Sequence, residues 1–213
     1  MAINEIQTLF LQSWHVWTVS AIIAIVSIGF VFRFTLPALR LGRSLAVTIK
    51  ALATVKAKAG GEAADLDEIA KEAMADPRMA HLWAEYAETL HPQRADDGAG
   101  VMRIKRWRAT TQAETFFSEH ALVDLPLRTE FYKHVPGILT GLGIIGTFSG
   151  LIMGLIDFNV SINPIQAQAE LSNLVKAVGH AFFVSAAAIT LAMLFTWIEK
   201  SLVSARYRQV EDR

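Results

Sequence analysis

Three stretches of this chain are long and apolar enough to cross a bilayer, and that decides most of what the remainder can be. A hydrocarbon core about 30 Å thick takes roughly 20 apolar residues of helix. His15 to Leu36, Pro136 to Phe158 and Leu174 to Ile198 each meet that length. Lipid offers no hydrogen bonds to backbone N–H and C=O groups, so each stretch must be helical to satisfy them internally. The composition agrees, with 53% hydrophobic residues and a mean hydropathy of +0.35. The expected fold class is an all-α integral membrane protein with three transmembrane helices.

Lys plus Arg equals Asp plus Glu at 20 each, so no net charge draws the chain to nucleic acid and no direct nucleic-acid binding is expected. The information lies in where the charges sit. Residues 1–32 contain no Lys or Arg, and neither do residues 134–175, whereas the segment between the first two spans and the C-terminus are rich in both. The positive-inside rule then places the N-terminus outside and the C-terminus in the cytoplasm. The expected order is a periplasmic N-terminus (1–14), a first span (15–36), a helical cytoplasmic insertion (37–135) and a second span (136–158). A periplasmic loop (159–173), a third span (174–198) and the start of a cytoplasmic tail (199–213) follow. Met1 to Trp14 has neither the cations nor the cleavage site of a signal peptide, so the first span is expected to remain in the mature protein. A cysteine introduced at Ser161 should therefore react with an impermeant thiol reagent from the periplasm while one at Gly98 should not; the reverse pattern would overturn the orientation.

The insertion reads as helical from Leu39 to Ala59, from Glu62 to Ala75 and from Pro77 to Leu90, with Gly60-Gly61 as a stop. The loop HPQRADDGAG interrupts that pattern. The following MRIKRWRATTQAETFFSEHAL reads as an amphipathic core helix, the alternative being a segment that lies along membrane lipid. Glu85 and Glu88, one helical turn apart, could join a divalent-cation site with oxygen ligands, although a solvated helical face is the simpler and favoured explanation. The absence of cysteine excludes disulfides, thiolate metal sites and a cysteine nucleophile. SLVSARYRQVEDR contains no Gly or Pro stop, so the last helix is expected to run on in a longer natural chain.

Span two carries glycine at 137, 141, 143, 146, 150 and 154. Gly146, Gly150 and Gly154 form a doubled small-xxx-small spacing, which lets a neighbouring helix approach where lipid gives no hydrophobic drive for association. Gly143, Thr147, Gly150 and Gly154 fall on one face. Span three answers with Ala177, Ala181, Ser185, Ala188 and Ala192. Each small-residue face thus bears one hydroxyl, Thr147 or Ser185, which either borders an ion path or bonds back to its own helix. Between Leu139 and Ile156, and between Ala181 and Ile198, there is no Asp, Glu, Lys or Arg. An intramembrane proton relay generally uses a carboxylate, so another chain would have to supply it. TFSG at 147–150 with His180 superficially resembles the serine–histidine pair of a rhomboid protease, but Thr147 replaces a glycine of that motif and three spans are few to enclose a hydrated site. No enzymatic activity is expected.

KHVPGILTGLGIIGTFSGLIMGL, followed by a hairpin partner containing FFVSAAAITLAMLF, resembles the proton-channel subunit family of flagellar MotA, TolQ and ExbB. The three-span arrangement is like TolQ and ExbB rather than four-span MotA. More narrowly, ETFFSEHALVDLPLRTEFYKHVPGILTGLGIIGTFSGL is similar to the ZorA family of the Zorya anti-phage defence systems. The resemblance implies a multi-pass protein of the bacterial inner membrane that forms a homo-oligomeric, pentameric ring. The ring would surround the helices of a ZorB-like single-span partner dimer carrying an essential aspartate. It also implies a proton-motive-force-driven motor with protons as coupling ion and no required cofactor. Thr147 matches the threonine of the second-span motif and Ser185 fits the third-span position, both bordering the ion path. Gly143, Gly146, Gly150, Gly154, Ala181 and Ala188 would pack the helices and form the partner groove. The rival readings are a TolQ- or ExbB-type energiser of a cell-envelope machine and a non-conducting membrane scaffold.

Overall fold

The first apolar run belongs to a much longer helix than its hydropathy demands. In the computed structural model, which describes residues 14–60, 63–96, 102–158 and 162–211, helix α1 (Trp14–Phe30) passes through a π-helical turn at Val31–Thr35 into α2 (Leu36–Ala59). Ser161 and Gly98, the two labelling positions, lie outside the described residues. Pro37 has no N–H to return to the carbonyl four residues earlier, and the ladder widens just before it. The same conjunction recurs at Pro126, two residues after a π-helical turn at His120–Asp124. Among the described residues three helices are long and apolar enough to cross a membrane: Val16–Ala59, Thr129–Ile156 and Pro164–Glu211.

The chain divides into two compact units, one formed by residues 1–35 and 130–201 and the other by residues 36–129 and 202–213. The first contains α1, α7 (Thr129–Tyr132, from Glu130 onward), α8 (Val135–Ile156) and most of α9 (Pro164–Glu211). Helix α9 is 48 residues long and begins at Pro164, so residues 164–173 are helical. Its neighbours descend in number as those of α8 ascend, which makes the two helices antiparallel. An aromatic knot closes one end of this unit. Phe30 stacks on Phe195 at 4.4 Å between ring centroids and meets Tyr132 edge-on at 6.0 Å, while Phe34 lies 5.2 Å from Tyr132. Phe30 and Phe34 are fully buried. By contrast Ile145, Phe148, Ile152, Phe183, Met193 and Trp197 are exposed, an apolar surface suited to lipid or to other apolar helices.

In the second unit, α2 is followed by α3 (Leu66–Glu72) and α4 (Pro77–Ala87). Asp65 and Asp76 cap the two short helices, their side chains accepting from the backbone N–H groups of Asp67 and Arg78. Lys58, at the end of α2, reaches Glu72 at 2.9 Å and Glu68 at 3.0 Å. Those hydrogen bonds raise the Lys58 pKa above its usual value.

The expectation of an all-helical insertion is corrected here. Residues Leu90–Asp96 (β1) and Met102–Ala109 (β2) form an antiparallel hairpin, not a loop followed by an amphipathic helix. In sequence, Met102 and Ile104 alternate with cations at the period of a strand. A bulge between Gln93 and Arg94 shifts the pairing from Gln93↔Arg106 to Arg94↔Ile104. Pro92 is tolerated because both strands of a two-stranded sheet are edges. Trp107 anchors the hairpin by donating its indole N–H to the Ala64 carbonyl at 3.0 Å. The segment then continues as a short helix, α5 (Ala113–Phe116), the π-helical turn and α6 (Leu125–Leu127). Among the described residues the chain is thus mostly helical, as expected, with a two-stranded hairpin inside the insertion.

Candidate functional site

The small residues of α8 let α9 approach so closely that several positions have no space for a side chain. A Cβ built on Gly150 would lie 2.4 Å from the Cβ of Ala181. One on Gly143 would lie 3.0 Å from the Cβ of Ala188 and 3.3 Å from the Ser185 carbonyl, and one on Gly154 would lie 3.2 Å from Leu174 and 3.4 Å from Ala177. Gly146 differs, because its nearest neighbour is Val19 of α1 at 3.0 Å. The doubled glycine spacing therefore serves two neighbours: Gly143, Gly150 and Gly154 receive α9, while Gly146 receives α1. A methyl group added at Gly137 or Gly141 would meet nothing within 4 Å.

The two hydroxyls meet at Gly143. Thr147 donates its hydroxyl proton to the Gly143 carbonyl at 2.9 Å, and Ser185 Oγ lies 3.4 Å from the place a Gly143 Cβ would occupy. Ser185 is buried at 8% exposure, Ala181 and Ala188 are buried on either side, and Thr147 is half-buried. The Thr147 bond has the same form as those of Thr140, Thr190 and Thr196, each bonded to the carbonyl four residues back. It leaves the oxygen lone pairs of Thr147 available to accept. Between Leu139 and Ile156, and between Ala181 and Ile198, neither helix carries an ionisable side chain. The groove can thus hold hydroxyl dipoles against whatever enters it, but it has no group that changes charge at neutral pH.

The remaining candidates separate from the groove. His180 is exposed, although its neighbour Ala181 is buried. Glu85 lies 3.4 Å from His81 and Glu88 caps the end of α4, both carboxylates exposed. Among the described residues no group of three or more His, Asp or Glu side chains is placed to hold a metal ion, so Glu85 and Glu88 are not joined by a third such ligand. One residue escaped the sequence reading. Glu170 precedes Leu174 by four positions and so extends the small-residue face of α9, and its Oε2 is buried with no hydrogen-bond partner among the described residues. The signal was the same three-and-four spacing, continued past the point where hydropathy falls.

A sequence profile described as anti-phage protein ZorA of the Zorya type I system matches residues 9–213, nearly the entire chain. The chain belongs to the ZorA family. It is also similar to the Zorya protein ZorA of Escherichia coli O139:H28 (strain E24377A / ETEC), with 48% identity over 136 residues. That alignment covers 63% of this chain and 18% of the relative, so the chain spans about a fifth of the length of the ZorA protein it matches.

Proposed function

We propose that this chain forms the membrane ring of a proton-motive-force-driven motor used in anti-phage defence. Five copies would surround the helices of a ZorB-like partner dimer, in the inner membrane, with the N-terminus outside and the C-terminus in the cytoplasm. The reading is supported above all by the charge-free groove in which Thr147 and Ser185 converge on Gly143. Such a groove can border a proton path but cannot relay protons alone, which is why the proposed ring needs a partner that brings a carboxylate. A proton delivered to the partner's aspartate would neutralise it, permit a step along the ring, and leave on the other side. The membrane potential supplies about 2.3 kcal/mol per charge per 100 mV, enough for a small step repeated many times rather than one large rearrangement.

The hydroxyls provide the test. Thr147→Val nearly conserves volume and removes only the O–H, so the ring should still assemble with its partner. Losing one hydrogen bond of about 1 kcal/mol from the transit state should slow proton passage by about fivefold, with Ser185→Ala giving a similar but weaker loss. The measurement is acidification of liposomes that contain full-length protein and partner under an imposed potential. Undiminished flux in the double variant would place the path elsewhere, and absence of flux from the unaltered complex would remove the motor reading altogether.

A further inference from the structure

The face of α9 that packs against α8 carries a carboxylate at each end. From Glu170 through Ala181 and Ser185 to Glu199, the positions on this face recur at steps of three and four. Ala181, Ser185, Ala188, Ala192 and Phe195 in its middle are buried, and Glu170 and Glu199 are half-buried. Lys176 and His180 are the other ionisable residues between the two, and both lie off this face and are exposed. Glu170 and Glu199 are separated by about 43 Å of helix at a rise of about 1.5 Å per residue. A bilayer with its headgroup regions measures about 40–45 Å, so one carboxylate falls at each membrane surface. Ser185 sits midway, about 21–22 Å along the helix from either.

Neither carboxylate is consumed by structure. Glu170 Oε2 is buried with no hydrogen-bond partner among the described residues. A carboxylate oxygen withdrawn from water without a donor is unfavourable, and what it lacks is a proton, which is what a proton path delivers. Glu199 follows Ile198, where the apolar run of the third span ends. The ammonium groups of Lys200 and Lys133 attract it, but Lys133 is paired with Glu130. Asp157, at the end of α8, is exposed. Charge at the mouth of a low-dielectric groove concentrates counter-ions there, and protons are the counter-ions that a carboxylate can also hold.

We propose that Glu170 and Glu199 are the proton-collecting groups at the two mouths of the groove, each exchanging protons with the water on its own side of the membrane. This deepens the motor reading and rests on it. At either mouth the carboxylate takes a proton from hydronium or from a protonated buffer molecule, leaving water or the buffer base, and becomes a carboxylate again when it gives that proton up. Neither residue carries the proton across. Ser185 is far outside the roughly 2.6–3.2 Å reach of a single transfer from either end, so the crossing between the mouths belongs to the partner and its aspartate. The two acids set how fast protons are supplied to that crossing and cleared from it.

Supply can be told apart from structure by the buffer. Full-length protein with its partner is placed in liposomes under an imposed potential, and proton flux is followed in dilute buffer with a pH-sensitive dye. Glu170→Gln and Glu199→Gln keep the shape of the side chain and remove its charge and its exchangeable proton. Each should lower the flux about tenfold, the lower end of what a charged mouth adds to the arrival of a counter-ion. Raising the concentration of a mobile buffer, which brings protons to the mouth by itself, should restore most of the loss. Asp157→Asn should leave the flux unchanged in dilute buffer. A loss that is the same at every buffer concentration would show that the two residues act on packing and would overturn the proposal, as would a loss of equal size with Asp157→Asn. Undiminished flux in both glutamate variants would overturn it while leaving the motor reading in place, whereas absence of flux from the unaltered complex would remove both.

Discussion

Gly150→Leu is expected to prevent α8 and α9 from packing, and with it assembly with any partner. Even the first added carbon is too many. It would sit 2.4 Å from the Ala181 Cβ and 3.5 Å from its Cα, whereas carbon atoms in contact stay roughly 3.5–4.0 Å apart. Ala181 has no rotamer through which to withdraw, so the helix axes must part by more than an ångström. The contacts at Gly143 and Gly154 would then open together. Adding atoms to a well-packed site costs about 1–3 kcal/mol, or roughly a fivefold to hundredfold loss of the packed state, and leucine adds three more carbons beyond the first. Gly141→Leu is the control, because a Cβ there meets nothing within 4 Å. The isolated protein in detergent should show a lowered unfolding midpoint for Gly150→Leu and a nearly unchanged one for Gly141→Leu, and native mass spectrometry should find no partner-bound assembly of the former. Equal midpoints for the two variants would mean that the helices do not pack through Gly150.

The features legible in the sequence are those carried by a single helix. Length and hydropathy found the three apolar helices because the bilayer imposes both, and the three-and-four spacing found Gly143, Gly150 and Gly154 as one face. Spacing does not say which neighbour a glycine serves, which is why Gly146 turned out to lie closer to Val19 of α1 than to Val184 of α9. The hairpin was hidden for a different reason. Arg and Lys are good helix formers, and the bulge opposite Gln93 and Arg94 leaves Lys105 without a paired residue, which breaks the alternation of β2 after Ile104 that would have betrayed a strand. Glu170 was missed because a hydropathy window ends where charge begins, while the helix continues regardless. The hydrogen bond from the Tyr207 phenol to Asp124 joins residues 83 positions apart, and neither residue belongs to a pattern that would announce the other.

The isolated chain is expected not to conduct protons. A proton relay needs a group that is both protonated and deprotonated within reach of neutral pH, and a hydroxyl is not one. Thr147 spends its proton on the Gly143 carbonyl, and Ser185 is buried among Ala181, Ala188 and the α8 backbone. The stretch between Leu139 and Ile156 and that between Ala181 and Ile198 add no carboxylate. A groove of this kind excludes water rather than ordering a conducting file of it, since a retained water needs two to four polar partners. Conduction should appear only when a partner helix brings an aspartate opposite the two hydroxyls. There, burial disfavours the charged carboxylate and raises its pKa, so it can take a proton from one side and release it to the other. A pH-sensitive dye in liposomes under an imposed potential separates the cases. The chain alone and the chain with an aspartate-to-asparagine partner should both match empty liposomes, while the chain with the unaltered partner should acidify the lumen. If the chain alone leaks protons as fast as the complex, the path does not depend on a shared carboxylate, and the groove between α8 and α9 is a packing surface and nothing more.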